Sequence, residues 1–106
     1  MNDPTVLFVD DEADLREVAR QTLELAGLKA AVFADAEQAL ARVSRNFEGI
    51  LVTDIRMAGM DGLTLMGRCL EIDPAFPIVL VTGHGDVDLA VKSMRDGAYD
   101  FLEKPY

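Results

Sequence analysis

The sequence predicts an α/β domain, a doubly wound parallel sheet with helices on both faces. Three observations carry this expectation. Five short apolar runs alternate with stretches of helical spacing in the order βαβαβαβαβ, and crossover helices are how parallel strands are joined. The runs are largely continuous in apolar residues, as strands buried on both faces must be. Glycine and proline fall at the expected boundaries, with Gly27 and Gly97 after helical stretches and Pro74 and Pro77 around a turn.

Taken in order, the first strand is Val6-Leu7-Phe8-Val9. A helix follows, with Leu15, Val18, Ala19, Thr22 and Leu23 on one stripe. Ala30–Phe33 is the second strand, and Asp35 stands where it can cap a helix striped by Ala36, Ala39, Leu40 and Val43. Ile50-Leu51-Val52 is the third strand, and Leu63, Met66 and Leu70 mark the third helix. Ile78–Val81 is the fourth strand. Asp86 stands where it can cap a helix striped by Val87, Ala90, Val91 and Met94. Tyr99-Asp100-Phe101-Leu102 is the fifth strand and the weakest.

Bulk properties narrow the function. A chain of 106 residues, half of them hydrophobic, suits one domain with one core. A net charge of -9 opposes direct binding to nucleic acid phosphates. The single cysteine, Cys69, excludes an internal disulfide and a multi-cysteine zinc site. The N-terminal residues lack a basic targeting segment, and no apolar stretch approaches the ~18 residues of a membrane span, so a cytoplasmic protein without membrane contact is expected.

Polar residues at the strand ends suggest a site. Asp10, Asp11 and Glu12 follow the first strand, Thr53 and Asp54 the third, Thr82 the fourth, and Lys104 comes soon after the fifth. In an open parallel sheet of flavodoxin-like order 2-1-3-4-5, ligands bind beyond the carboxyl ends of the strands where the order reverses, between the first and third. Asp10, Asp11 and Asp54 would converge there, with Thr82 and Lys104 on the other wall. Clustered carboxylates repel unless a cation intervenes, and oxygen ligands in a solvated crevice suit Mg²⁺. A threonine hydroxyl and a lysine charge then fit an incoming phosphoryl group. Singly, each residue has a plainer role: a helix cap, a turn hydroxyl, a surface lysine.

The chain resembles the receiver domain of two-component response regulators over its whole length. The matching pieces are Val9-Asp10-Asp11-Glu12, Thr53-Asp54-Ile55-Arg56-Met57 leading to Met60-Asp61-Gly62, Val81-Thr82-Gly83, and Glu103-Lys104-Pro105. Thr82–Val87 and Gly97–Phe101 are similar to the nitrogen-regulatory and dicarboxylate-transport subgroup. The resemblance implies that Asp54 accepts phosphate from the phosphohistidine of a sensor histidine kinase. It implies Mg²⁺ on Asp11, Asp54 and the backbone carbonyl of Arg56, with Asp10 acting directly or through water. Thr82 and Lys104 would bind the phosphoryl group, Phe101 would be an aromatic switch coupled to Thr82, and Lys104-Pro105 would be a cis peptide. Arg56 and His84, each two residues beyond a site residue, are expected to tune dephosphorylation. A phosphorylation-sensitive homodimer and a downstream output domain, probed through the fourth helix and fifth strand, are implied as partners.

The sequence departs from the family in places. Ala58 stands where proline is common, Phe101 where tyrosine is an alternative, and Tyr106 where phenylalanine is commoner. The family's fifth helix has no counterpart, so residues 1–106 are expected to be a receiver domain from a longer protein, with apolar surface bare around Val6, Phe8 and Phe101. Rival readings are a haloacid-dehalogenase-type phosphatase, a flavin-binding module and a receiver that is not phosphorylated. The phosphatase needs an aspartate two residues after its nucleophile, where Glu12 follows Asp10. The flavin module needs a phosphate loop after the first strand, which is missing. The third rival lacks a motive, since each phosphorylation residue is present.

Overall fold

The computed structural model describes residues 5–104. Five strands, β1 (Val6–Val9), β2 (Ala30–Phe33), β3 (Ile50–Asp54), β4 (Ile78–Thr82) and β5 (Asp100–Glu103), form one sheet. Its order is β2-β1-β3-β4-β5, and every neighbouring pair is parallel. The helices are α1 (Ala13–Leu25), α2 (Ala36–Leu40), α3 (Gly62–Ile72) and α4 (Val87–Asp96), the last preceded by a 3₁₀ turn at His84–Asp86. The order reverses between β1 and β3, so their connections leave in opposite directions and open a crevice at the carboxyl ends. Val9 is level with Thr53, which brings Asp10 and Asp54 to the same edge of the sheet.

Strand alternation sends Leu7, Val9, Leu51, Ile78 and Leu80 into the main core with α2, α3 and α4. Phe8, Val52 and Leu102 face the other way, toward Ala19 and Leu23 of α1. This corrects the expected bare patch in two respects. Val6 and Phe8 are each only 3% exposed, and Phe101 packs against the main core. The apolar surface that stays open on the α1 side belongs to Leu102 and Val18, beside a shallow cavity of about 260 Å³.

Other boundaries also moved. β3 runs two residues further than its apolar run, so Thr53 and Asp54 are within the strand, and Asp54 lies opposite Val81. The pairing of buried backbone groups outweighs the low strand preference of an aspartate. Similarly, β5 begins at Asp100, and Tyr99 lies outside it, 73% exposed. α2 stops at Leu40, although Val43 still reaches the core through tight turns. Asp35 caps α2, its side chain accepting from the Gln38 amide at 2.9 Å. Asp86 does not cap α4 with its side chain, because that carboxylate is engaged elsewhere. Gly27 and Gly97 carry positive φ after α1 and α4, as their helix-ending roles require.

Candidate functional site

Asp10 follows β1 and is 1% exposed, Asp54 ends β3 and is 8% exposed, and Asp11 lies at the surface. One carboxylate oxygen from each falls within 4.8 Å of the others. Backbone groups fix the two buried members. Asp10 Oδ1 accepts from the Glu12 amide at 2.9 Å, and the Asp10 carbonyl accepts from Arg16 at 2.8 Å. Asp54 Oδ1 accepts a longer bond from the Arg56 amide at 3.4 Å.

Lys104 supplies the compensating charge. Its Nζ donates to Asp54 Oδ2 at 2.8 Å and stands 3.6 Å from Asp10 Oδ2, an ion-pair distance beyond hydrogen-bond reach. The Lys104 amide is held by the Thr82 carbonyl at 2.8 Å, so the sheet edge itself aims this side chain. Burial alone would lower the Lys104 pKa. The hydrogen bond to Asp54 and the charges of Asp10, Asp54 and Glu12 together outweigh it, and the pKa is raised. The lysine is thus firmly cationic.

Asp10 Oδ2 is buried without a hydrogen-bond partner among the described residues. A buried carboxylate oxygen in that condition is costly unless something charged completes its surroundings. Three acidic oxygen donors around one lysine leave negative charge in excess. An oxygen-seeking divalent cation fits that donor set.

Thr82, which ends β4, is fully buried, and its hydroxyl donates to the Gly83 carbonyl at 3.0 Å. The sequence reading put this hydroxyl on the site's wall. In the structure it occupies a neighbouring strand end but is turned to its own turn. The Arg56 guanidinium is likewise engaged outside the Asp10, Asp11 and Asp54 cluster. It makes a bidentate pair with Asp86, at 2.7 and 2.8 Å. These bonds and the attendant charge lower the Asp86 pKa and raise that of Arg56. Phe101 is half-buried against the core. The His84 side chain, the Lys104-Pro105 peptide geometry and Tyr106 lie outside what the structure describes.

Two contributors escaped the sequence reading. Gly62 carries no chemical group to mark it in the sequence. A Cβ there would overlap the Asp54 carbonyl oxygen, and the Gly62 amide donates to the Ile55 carbonyl at 2.9 Å, so α3 starts hard against the end of β3. Asp86 stands at a helix start, where sequence alone suggests only a cap. Beside the carboxylates lies a cleft of about 410 Å³, bounded by Asp11, the loop from Ile55 to Asp61, Leu63 and Leu89.

Comparison with known proteins agrees with this geometry. Residues 6–106 match the family described as the response regulator receiver domain. The C4-dicarboxylate transport transcriptional regulatory protein DctD of Rhizobium meliloti (strain 1021) is 53% identical over 97% of this chain. The DNA-binding transcriptional regulator NtrC of Salmonella typhimurium (strain LT2) is 38% identical over 95% of it. The chain spans 22% of the length of each of these two relatives. A crystal structure of a response regulator receiver domain protein from Clostridium thermocellum superposes with a TM-score of 0.89 at 27% identity, covering 95% of this chain and 82% of that one.

Proposed function

Because this chain belongs to the response regulator receiver domain family, whose members are phosphorylation-dependent signalling switches, we infer that Asp54 is its phosphoacceptor. The observation that carries the assignment is the 2.8 Å bond from Lys104 to Asp54, made inside a cluster that also holds the Asp10 and Asp11 carboxylates. A carboxylate that is fixed by the strand ladder and faces a cation is prepared to act as a nucleophile toward an anionic phosphoryl group.

In the transfer, an Asp54 oxygen forms a bond to phosphorus while the N–P bond of a kinase phosphohistidine breaks, and the imidazole leaves with that electron pair. Lys104 follows the negative charge from the free carboxylate to the phosphoryl oxygens. The Thr82 hydroxyl leaves the Gly83 carbonyl and donates to the phosphoryl group. Phe101 responds to the space Thr82 vacates, which makes the α4–β5 surface the outlet of the signal. Asp11, Asp54 and the Arg56 carbonyl would hold Mg²⁺, with Asp10 directly or through water. When bound, the ion offsets the charge of the carboxylates and of the arriving phosphate. Arg56 and His84 are assigned to tuning hydrolysis of the acyl phosphate.

Residues 1–106 would then be the receiver module of a cytoplasmic transcriptional regulator, phosphorylated by a sensor histidine kinase and read out through dimer contacts and an output domain. The relatives' names supply the transcriptional link. Among the described residues no helix is long and apolar enough to cross a membrane. Incubation with Mg²⁺ and a small acyl phosphate should give a base-labile phosphoryl adduct on the wild type and none on Asp54→Asn. A labile adduct at the wild-type level on Asp54→Asn would contradict the assignment.

A further inference from the structure

Asp10 is held from three directions. Its amide donates to the Phe33 carbonyl of β2 at 3.1 Å, and its Oδ1 accepts from the Glu12 amide at 2.9 Å. The third hold comes from a helix. Arg16, near the start of α1, donates from Nη1 to the Asp10 carbonyl at 2.8 Å. The N-cap of this helix, Glu12, makes no side-chain capping bond, so the Arg16 guanidinium is the side-chain link between the start of α1 and the end of β1. A guanidinium on a backbone carbonyl neutralises no carboxylate. What it fixes is a peptide.

The peptide so fixed joins Asp10 to Asp11. A peptide unit is planar, so the direction of the Asp10 carbonyl sets that of the Asp11 amide and the path on which Asp11 leaves β1. Asp11 is exposed and has no burial to hold it, yet its carboxylate falls within 4.8 Å of those of Asp10 and Asp54. We propose that Arg16 is a positioning residue for the cation site: its bond to the Asp10 carbonyl holds the Asp10–Asp11 peptide so that the exposed Asp11 carboxylate stays close to the two buried ones. This rests on the assignment of Asp11 as a cation ligand. The two effects of Arg16 on a divalent cation oppose each other. Its positive charge repels the cation, whereas its bond preorganises a ligand. The bond dominates, because water screens the charge at this solvated edge, and outer-shell partners that fix a ligand commonly carry tenfold or more in metal affinity.

The opposed signs make the test decisive. Titrate wild type and Arg16→Met with MgCl₂ by calorimetry; methionine keeps an apolar stem and loses both the donor and the charge. Arg16→Met should bind Mg²⁺ about tenfold more weakly. The loss should persist in about 0.5 M KCl, where charges on exposed groups are screened. Tighter binding is what the lost charge alone would give, and it overturns the proposal, as does an unchanged affinity. A fall in thermal stability without Mg²⁺ that leaves the affinity unchanged means a packing role only, and overturns it too. A readout independent of the ion is the Asp11 backbone amide, whose resonance should shift and whose proton should exchange faster in Mg²⁺-free Arg16→Met. An unmoved resonance contradicts the link from the Asp10 carbonyl to Asp11. Should Arg16→Met not fold by circular dichroism, Arg16→Lys supplies the test. It keeps the charge, but its terminal nitrogen ends one bond short, so it must bind Mg²⁺ more weakly than wild type; wild-type affinity overturns the proposal. Wild-type Mg²⁺ affinity in Asp11→Ala would instead defeat the cation-site assignment itself, and this inference with it.

Discussion

Asp10 and Cys69 show how single buried groups shape the behaviour of this domain. Asp10 Oδ2 has no hydrogen-bond partner among the described residues, and two other carboxylates crowd it. Asp10→Asn keeps the Oδ1 acceptor for the Glu12 amide and removes one charge of the excess. The variant should therefore be at least as stable as wild type without Mg²⁺, and gain less from Mg²⁺ than wild type does. Thermal melts with and without the ion check both halves. Cys69 is enclosed in the main core, and burial pushes its thiol up to about 11. The folded state thus holds this proton more tightly than the unfolded chain, whose thiol lies near 9. Its contribution to stability is complete below about pH 9 and is lost as the pH rises toward 11. Cys69→Ser would lack this alkaline loss, which denaturant titrations between pH 8 and about 10.5 would detect. In native wild type at pH 8, a thiol reagent should label Cys69 far more slowly than the unfolded chain.

At the scale of elements, the start of α3 is the most constrained junction near the site. Replacing a helical glycine by alanine usually gains up to about 1 kcal/mol. At Gly62 the sign should reverse, because the added methyl would meet the backbone carbonyl of Asp54. Gly62→Ala is expected to lose about 1–3 kcal/mol and to slow phosphorylation by displacing the acceptor. Gly67, on the same helix with open space around its Cα, is the matched control, and Gly67→Ala should be neutral or stabilising. The strands and the four helices could be read from periodicity, because burial on both sheet faces leaves continuous apolar runs between striped helices. The carboxylate cluster and Lys104 could be read for a related reason: acidic and basic residues directly after such runs have nowhere to go but the sheet edge. β5 was harder, since Asp100 and Glu103 obscure its alternation, and Phe101 was assigned to the face that Leu102 occupies. The Arg56–Asp86 pair had no signature, because an exposed pair 30 residues apart leaves no period. The Thr82 hydroxyl could be placed at a strand end, but its rotamer depends on which carbonyl is nearest.

For the whole molecule, the proposed cation site would couple ligand binding to folding. A cation that binds only the folded state should raise stability by mass action, by about 2.7 kcal/mol at a hundred times its dissociation constant. Asp11→Ala removes a carboxylate without disturbing the core, since Asp11 is exposed, and should abolish most of that increment. An undiminished Mg²⁺ effect in Asp11→Ala would exclude this residue from the ligand set. The central claim is chemical, however, and reduction of the phosphorylated chain tests it most directly. An acyl phosphate on an aspartate is cut by borohydride to homoserine, which marks the acceptor in the sequence. After treatment with Mg²⁺ and a small acyl phosphate, wild type should carry homoserine at position 54 and nowhere else, whereas homoserine at Asp10 or Asp11 with an intact Asp54 would contradict the account.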